Sequence, residues 1–312
     1  MLRVSTFIVA ALLSLSTLHA QSKLEAQFLY DSLYGQDPVS IPWTGSVVEC
    51  EPGVIPDDIL LRARNRVNYF RVACGLAPIA FKAVDNQMAQ AAALMMAANK
   101  ELNHAPPENW DCYSRAGAIG AEHSNLGFQN FLNYGHNAFI TGFMRDWGAR
   151  NYYVGHRRWI LYTRSLYGGY GSTGVSAALF VVDSLQPTTS STKFIAYPPP
   201  GYFPASLVFP KWSFALPEGR SVDFSRTKII MTNNKGRKIK LTKLPIKKIL
   251  DPCISWRVDG FFTEEEIKYQ KNSFAERSLM DQSITVEIRE VVIDGKRKNF
   301  SYKVIPFKAK ED

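Results

Sequence analysis

The chain has 312 residues, 46% of them hydrophobic and 21% charged, with 37 Lys and Arg against 28 Asp and Glu and a formal net charge of +9. This is the composition of a globular protein, and it excludes a low-complexity, collagen-like or largely disordered chain. The positive excess suits anionic surfaces such as cell envelopes, while no nucleic-acid-binding fingerprint accompanies the basic residues, so nucleic acid is set aside as a partner.

Residues 1–20 read as an export signal. Arg3 supplies the positive start, "STFIVAALLSLSTL" the apolar run, and "LHA" before Gln21 a cleavage site. The run is too short to span a bilayer comfortably, and no later stretch is apolar and long enough for a membrane helix. The expectation is therefore a secreted, extracellular or periplasmic protein with no transmembrane segment. Residues 21–56 form an irregular leader, broken by Pro38, Pro42, Pro52 and Pro56.

From Asp57 the pattern is helical. Leu60, Ala63, Val67, Phe70 and Cys74 recur at intervals of three and four, with Asp57 or Asp58 as N-cap and Gly75 just past the end. A second helix is expected over 84–102, with Met88, Ala91, Ala92 and Met95 on its apolar face. A third helical region is expected near 128–146. "GGYGSTGVSAALFVVD" then reads as a glycine loop feeding a strand. At "LQPTTSSTK" small and turn-forming residues mark a boundary, so 57–185 is one domain, 186–195 a linker and 196–312 a second domain.

In that second part the period is two. "SITVEIRE" and "NFSYKV" alternate apolar and polar residues around an Asp294-Gly295 turn, and "GRKIKLT" is a further strand with basic residues outward. Thr263 with Glu266 forms a capping box before one short helix. A mainly β, sandwich-like domain is expected. The aromatic and proline-rich stretch 196–212 reads as a stiff connector whose rings pack against both domains.

Four cysteines, Cys50, Cys74, Cys112 and Cys253, in an exported chain point to disulfides or to buried thiols. Cys50–Cys74 is disfavoured because a helix of about 17 residues, ~25 Å long, separates the two. Cys74–Cys112, which would staple the helix end to the loop beyond His104, is the preferred pair.

His104, His123, His136 and His156 all fall within one stretch that also holds Glu101, Glu108, Asp111, Glu122 and Asp146. Imidazoles and carboxylates together serve either a divalent-metal site or acid/base chemistry. No HExxH, CxxC or GxSxG motif narrows the choice.

The order of pieces resembles the CAP superfamily, the cysteine-rich secretory protein, antigen 5 and pathogenesis-related 1 group, and most of all its bacterial branch. The pieces are "RVACGLAPIAF", "AQAAALMMAANKELNHA", "GAEHSNLG", "GHRRWIL" and "GYGSTGV", spread over about 57–185. The resemblance implies an α+β fold, a three-layer α-β-α sandwich followed here by the smaller β domain. It also implies a cleft lined by His104, Glu122 and His156 that could hold zinc or another divalent ion, with Asp146 as the nearest second acid. Gly155 would let the backbone of the motif approach closely. Arg157 or Arg158 would line the rim or pair with a carboxylate, with at least one of them solvated. Asn125 would hydrogen-bond near the motif. His123, beside Glu122 on a strand, would face the other way, and His136 would be an ordinary helix-surface residue.

The function expected is that of a binding or effector module with a cell-surface, lipid or protein ligand. A metal-dependent extracellular peptidase or esterase, using Glu122, is the alternative. Structural attachment to the cell envelope is a third reading.

Overall fold

The computed structural model describes residues 21–35, 43–128, 138–183, 192–259, 280 and 282–309. The export signal, His136 and the Thr263/Glu266 capping box lie outside the described residues. Among the described residues no helix is long and apolar enough to cross a membrane.

Helix α1, Lys23–Leu29, opens on a capping box between Ser22 and Glu25 and runs into one π-helical turn, Tyr30–Tyr34. Helix α2, Asp57–Ala73, buries Ala63, Val67 and Phe70 completely, as the apolar spacing requires. Pro56 takes its N-cap, so Asp57 and Asp58 lie inside the first turn, where carboxylates complement the helix dipole. The helix closes as expected: Gly75 turns left-handed at φ +76 and the Leu76 N–H donates to the Arg71 carbonyl at 2.8 Å. Helix α3, Ala83–Asn99, stops before the expected 102 because Lys100 adopts a left-handed conformation.

Four strands form the first sheet: β1 (Ala80–Phe81), β2 (Ser124–Phe128), β3 (Tyr167–Ser172) and β4 (Ser176–Phe180), in the order β1-β3-β4-β2. Strand β1 is parallel to β3, and the other pairs are antiparallel. The segment expected to be a glycine loop is thus strand β3. The reason lies in packing: α3 rests directly on it, and a Cβ at Gly171 would stand 2.2 Å from the Gln90 nitrogen. Helix α4, Arg115–Glu122, packs beside α3 and leads into β2. Of the third helical region, Ala138–Arg145 is helix (α5) and 129–137 lies outside the described residues.

The C-terminal part is sheet-rich. One sheet joins β5 (Ile195–Tyr197), β7 (Lys211–Ala215), β11 (Cys253–Val258) and β10 (Leu241–Lys243). The other joins β6 (Gly201–Pro204), β8 (Val222–Asp223), β9 (Lys228–Thr232), β12 (Ile284–Ile293) and β13 (Lys296–Phe307). Asp294 and Gly295, both at positive φ, make the β12–β13 turn where the sequence placed it. The stretch 196–212 is not a spacer. It supplies β5, β6 and the start of β7, and Tyr197, Phe203, Phe209 and Trp212 are all buried. These rings share one hydrophobic core with Phe70 of α2 and Val304 of β13, so the interior runs unbroken from the helical part into the C-terminal sheets.

The disulfide joins Cys50 to Cys112, not Cys74 to Cys112. The leader returns along α3, where Pro52 accepts hydrogen bonds from Gln90 at 3.0 Å and Trp43 at 2.8 Å, and this carries Cys50 to the loop beyond His104. Cys74 faces the other way. Its thiol lies in the shared core 3.4 Å from the Ala196 carbonyl, and Cys253 is likewise a buried free thiol.

Candidate functional site: the Asp146–His156 pair

The motif "GHRRWI" folds as a short helix, α6, Gly155–Ile160. Gly155 leaves room for its neighbour, since a Cβ there would lie 2.5 Å from the Tyr153 ring and displace it. Ile160 and Leu161 sink into the core and anchor the turn. His156 is left partly exposed, its ring 5.4 Å from that of Phe143.

The ring is held by a buried carboxylate. His156 Nδ1 donates to Asp146 Oδ1 at 2.9 Å, and the other Asp146 oxygen accepts the Arg157 backbone N–H at 3.2 Å. The Asp146 side chain has no exposed surface. With Nδ1 bound to an acceptor, Nε2 is the nitrogen His156 can offer to a ligand. Asp146 and Val154, both non-glycine residues at positive φ, bracket the loop that brings the acid to the imidazole.

The other expected residues lie around the α4–β2 junction. His104 Nδ1 donates to the Ala121 carbonyl at 2.9 Å, and Asn125 Nδ2 donates to the His156 carbonyl at 3.0 Å. Both histidines are thus tethered to the same short stretch of chain, with exposed Glu122 between the tether points. Glu122 and His123 do not alternate along a strand. Glu122 ends α4 and His123 is its C-cap, with Nδ1 on the Ile119 carbonyl and the ring stacked on Phe180, which suits a structural residue.

The arginines of the motif differ from expectation, because neither is solvated. Arg157 is fully buried, with Nε on the Met144 carbonyl at 2.7 Å and Nη1 on the Lys211 carbonyl at 2.8 Å, its guanidinium 4.3 Å from the Tyr197 ring centre. Burial pulls its pKa down. Arg158 reaches the carbonyls of Lys247, Ile249 and Asp251. Main-chain carbonyls stand where a carboxylate partner or water was expected, although Arg157 Nη2 and Arg158 Nε are buried without a hydrogen-bond partner.

Lys211 of β7 was not singled out by sequence reasoning. Its ammonium donates to the carbonyls of Asp146, Gly148 and Asn151 at 2.8, 2.8 and 2.9 Å, matching three N–H donors to three acceptors. Burial lowers its pKa to about 8. The only sequence signal was a single lysine inside an otherwise apolar strand, "VFPKWSF".

Residues 64–182 match the family model described as CAP: Cysteine-rich secretory protein family. This stretch is a CAP region. It contains every residue of the candidate site except Lys211, which reaches it from β7. No curated protein and no solved structure matches the chain.

A divalent metal, expected for the cleft, meets an incomplete donor set. Among the described residues no three His, Cys, Asp or Glu side chains stand together as a metal site. The CAP region offers two oriented imidazoles and one carboxylate already engaged by His156.

Proposed function

We propose that this is an exported protein whose CAP region, with the family's α-β-α layering, binds a ligand at the cleft edge formed by His156 and His104. Glu122, exposed at the end of α4, is the acid we group with them. The observation that carries the reading is the buried Asp146 carboxylate, which engages Nδ1 of the partly exposed His156 ring and leaves Nε2 as the nitrogen for a ligand. The free thiols are unsuited to attack, which removes a thiol nucleophile and leaves activated water as the route to turnover. Cys74 and Cys253 are buried, and burial pushes the Cys74 thiol up to about 12.

The ligand class is a cell-surface, lipid or protein partner that presents a hydrogen-bonding or metal-bearing group. Zinc is the first probe to try, the two imidazoles leaving the rest of its donor set to water or ligand. An oriented Asp–His pair also favours the hydrolase reading, in which His156 would act as general base.

The test is zinc titration by calorimetry, alongside turnover assays on peptide and ester substrates, using wild type, Asp146→Asn, Glu122→Gln and His104→Ala/His156→Ala. Zinc binding that is lost in the double variant and weakened in Asp146→Asn, without turnover, supports the binding reading. Turnover that falls in Asp146→Asn and in Glu122→Gln, with the fold intact, replaces it with the hydrolase. Indifference of every variant leaves the CAP region as scaffold and overturns the cleft.

A further inference from the structure

The net charge of the chain is concentrated in one place. Between 226 and 248 there are nine Lys and Arg and no Asp or Glu, while the other 28 basic residues balance the 28 acidic ones. The entire formal excess of +9 therefore belongs to a segment outside the CAP region. The chain folds this segment back on itself. Ile239 N–H donates to the Met231 carbonyl, Lys238 bridges to Thr232, and the tip turns at Gly236 with φ +72. Lys235, Arg237, Lys238 and Lys240 are all exposed along this hairpin.

The base of the hairpin extends the same surface. Lys243 Nζ donates to the Phe224 and Thr227 carbonyls, which brings β10 against the chain beside exposed Arg226. Acidic groups border this base: Glu290 pairs with Lys228 at 2.6 Å, and Asp223 feels the charges of Arg226 and Lys248. Ile246 is 41% exposed, directly before Lys247 and Lys248.

From this we propose that the 226–248 surface docks the protein onto an anionic lipid bilayer. Charge complementarity is the first argument, since clustered cations beside a negatively charged leaflet act in parallel. The second is the choice of cation. Seven of the nine are lysine, a compact charge that does not require the two-pronged geometry by which arginine reads an individual phosphate. The third is exposed Ile246 two residues before exposed Lys248, an arrangement that places one apolar side chain beside a cation at the headgroup boundary. Docking here is independent of the His156 cleft.

The experiment is co-sedimentation of the full mature chain with vesicles of phosphatidylcholine alone and of phosphatidylcholine mixed with phosphatidylglycerol. Two triple variants of equal charge are compared: Lys235→Gln/Lys238→Gln/Lys240→Gln, and Lys100→Gln/Arg115→Gln/Arg150→Gln, whose exposed cations lie in the CAP region. Circular dichroism confirms the fold of each. The expected result is binding to the phosphatidylglycerol vesicles only, lost at high salt as the Debye length shrinks. The hairpin triple should weaken it about a hundredfold and the CAP triple far less, with His156→Ala unaffected. Equal losses in the two triples, equal binding to neutral vesicles, or capture by soluble dextran sulfate without any binding to vesicles would each overturn the proposal.

Discussion

The CAP region and the strands that follow it use the same residue types in opposite ways. In the CAP region Arg71, Arg157 and Arg158 are buried and directed at carbonyl groups, so their charge serves the interior. In the 226–248 segment the cations stand mostly in solvent. A buried guanidinium aimed at remote carbonyls ties distant loops together, whereas exposed ammonium groups do little for folding and act on what lies outside. The contrast also separates the site from its support. The CAP region supplies Asp146 and His156, and the C-terminal sheet supplies the Lys211 ammonium that holds the loop carrying the acid.

The largest test of that contrast concerns the one covalent link. Cys50 and Cys112 are 62 residues apart, and on the chain-entropy model replacing both by serine costs about 4 kcal/mol. Because one core joins the two regions, we expect the urea transition to shift as a single step. If the CAP region alone melted early, leaving the sheets folded, the shared core would not be coupling them.

A smaller loss, about 3 kcal/mol, is expected for Arg157→Ala, which leaves the carbonyls of Met144 and Lys211 without their donor and opens space beside Tyr197. Arg237→Ala, at an exposed position, should stay within about 0.5 kcal/mol. Equal costs at the two positions would erase the distinction between interior and exterior cations.

Lys211→Met should have the most local effect, about 1–2 kcal/mol, read as faster amide hydrogen exchange in 146–151. Its pH dependence has a definite sign. The folded pKa, about 8, lies below the ordinary lysine value of 10.5, so an opening that exposes the amine takes up a proton between those values. The free energy of loop opening in wild type should therefore rise with pH across that window, and the rise should vanish in Lys211→Met. A wild-type loop whose opening is insensitive to pH there would mean that Lys211 is not desolvated.

Much of this was legible in the residues. The 3,4 spacing of α2, the alternation of β12 and β13 and the Asp294-Gly295 turn are local patterns whose periods match the elements they form. The CAP region itself was recognisable from five motifs in order. The chemistry of the site was partly legible: His156, Asp146 and Asn125 come together, while His104 and Glu122 flank them at the α4–β2 junction. His123 was placed on a strand because helix α4 ends only one residue before it.

What only the tertiary structure decided concerns contacts between distant parts of the chain. Glycines in β3 look like a loop until α3 is laid on them, because the need to omit a Cβ arises from another element. Cys50 finds Cys112 because the leader follows α3. Arg157, Arg158 and Lys211 look like solvent-facing charges until remote carbonyls converge on them. Periodicity records which side of an element is apolar. It does not record which remote main-chain groups will face a buried charge, and in this protein those groups hold the Asp146–His156 pair in place.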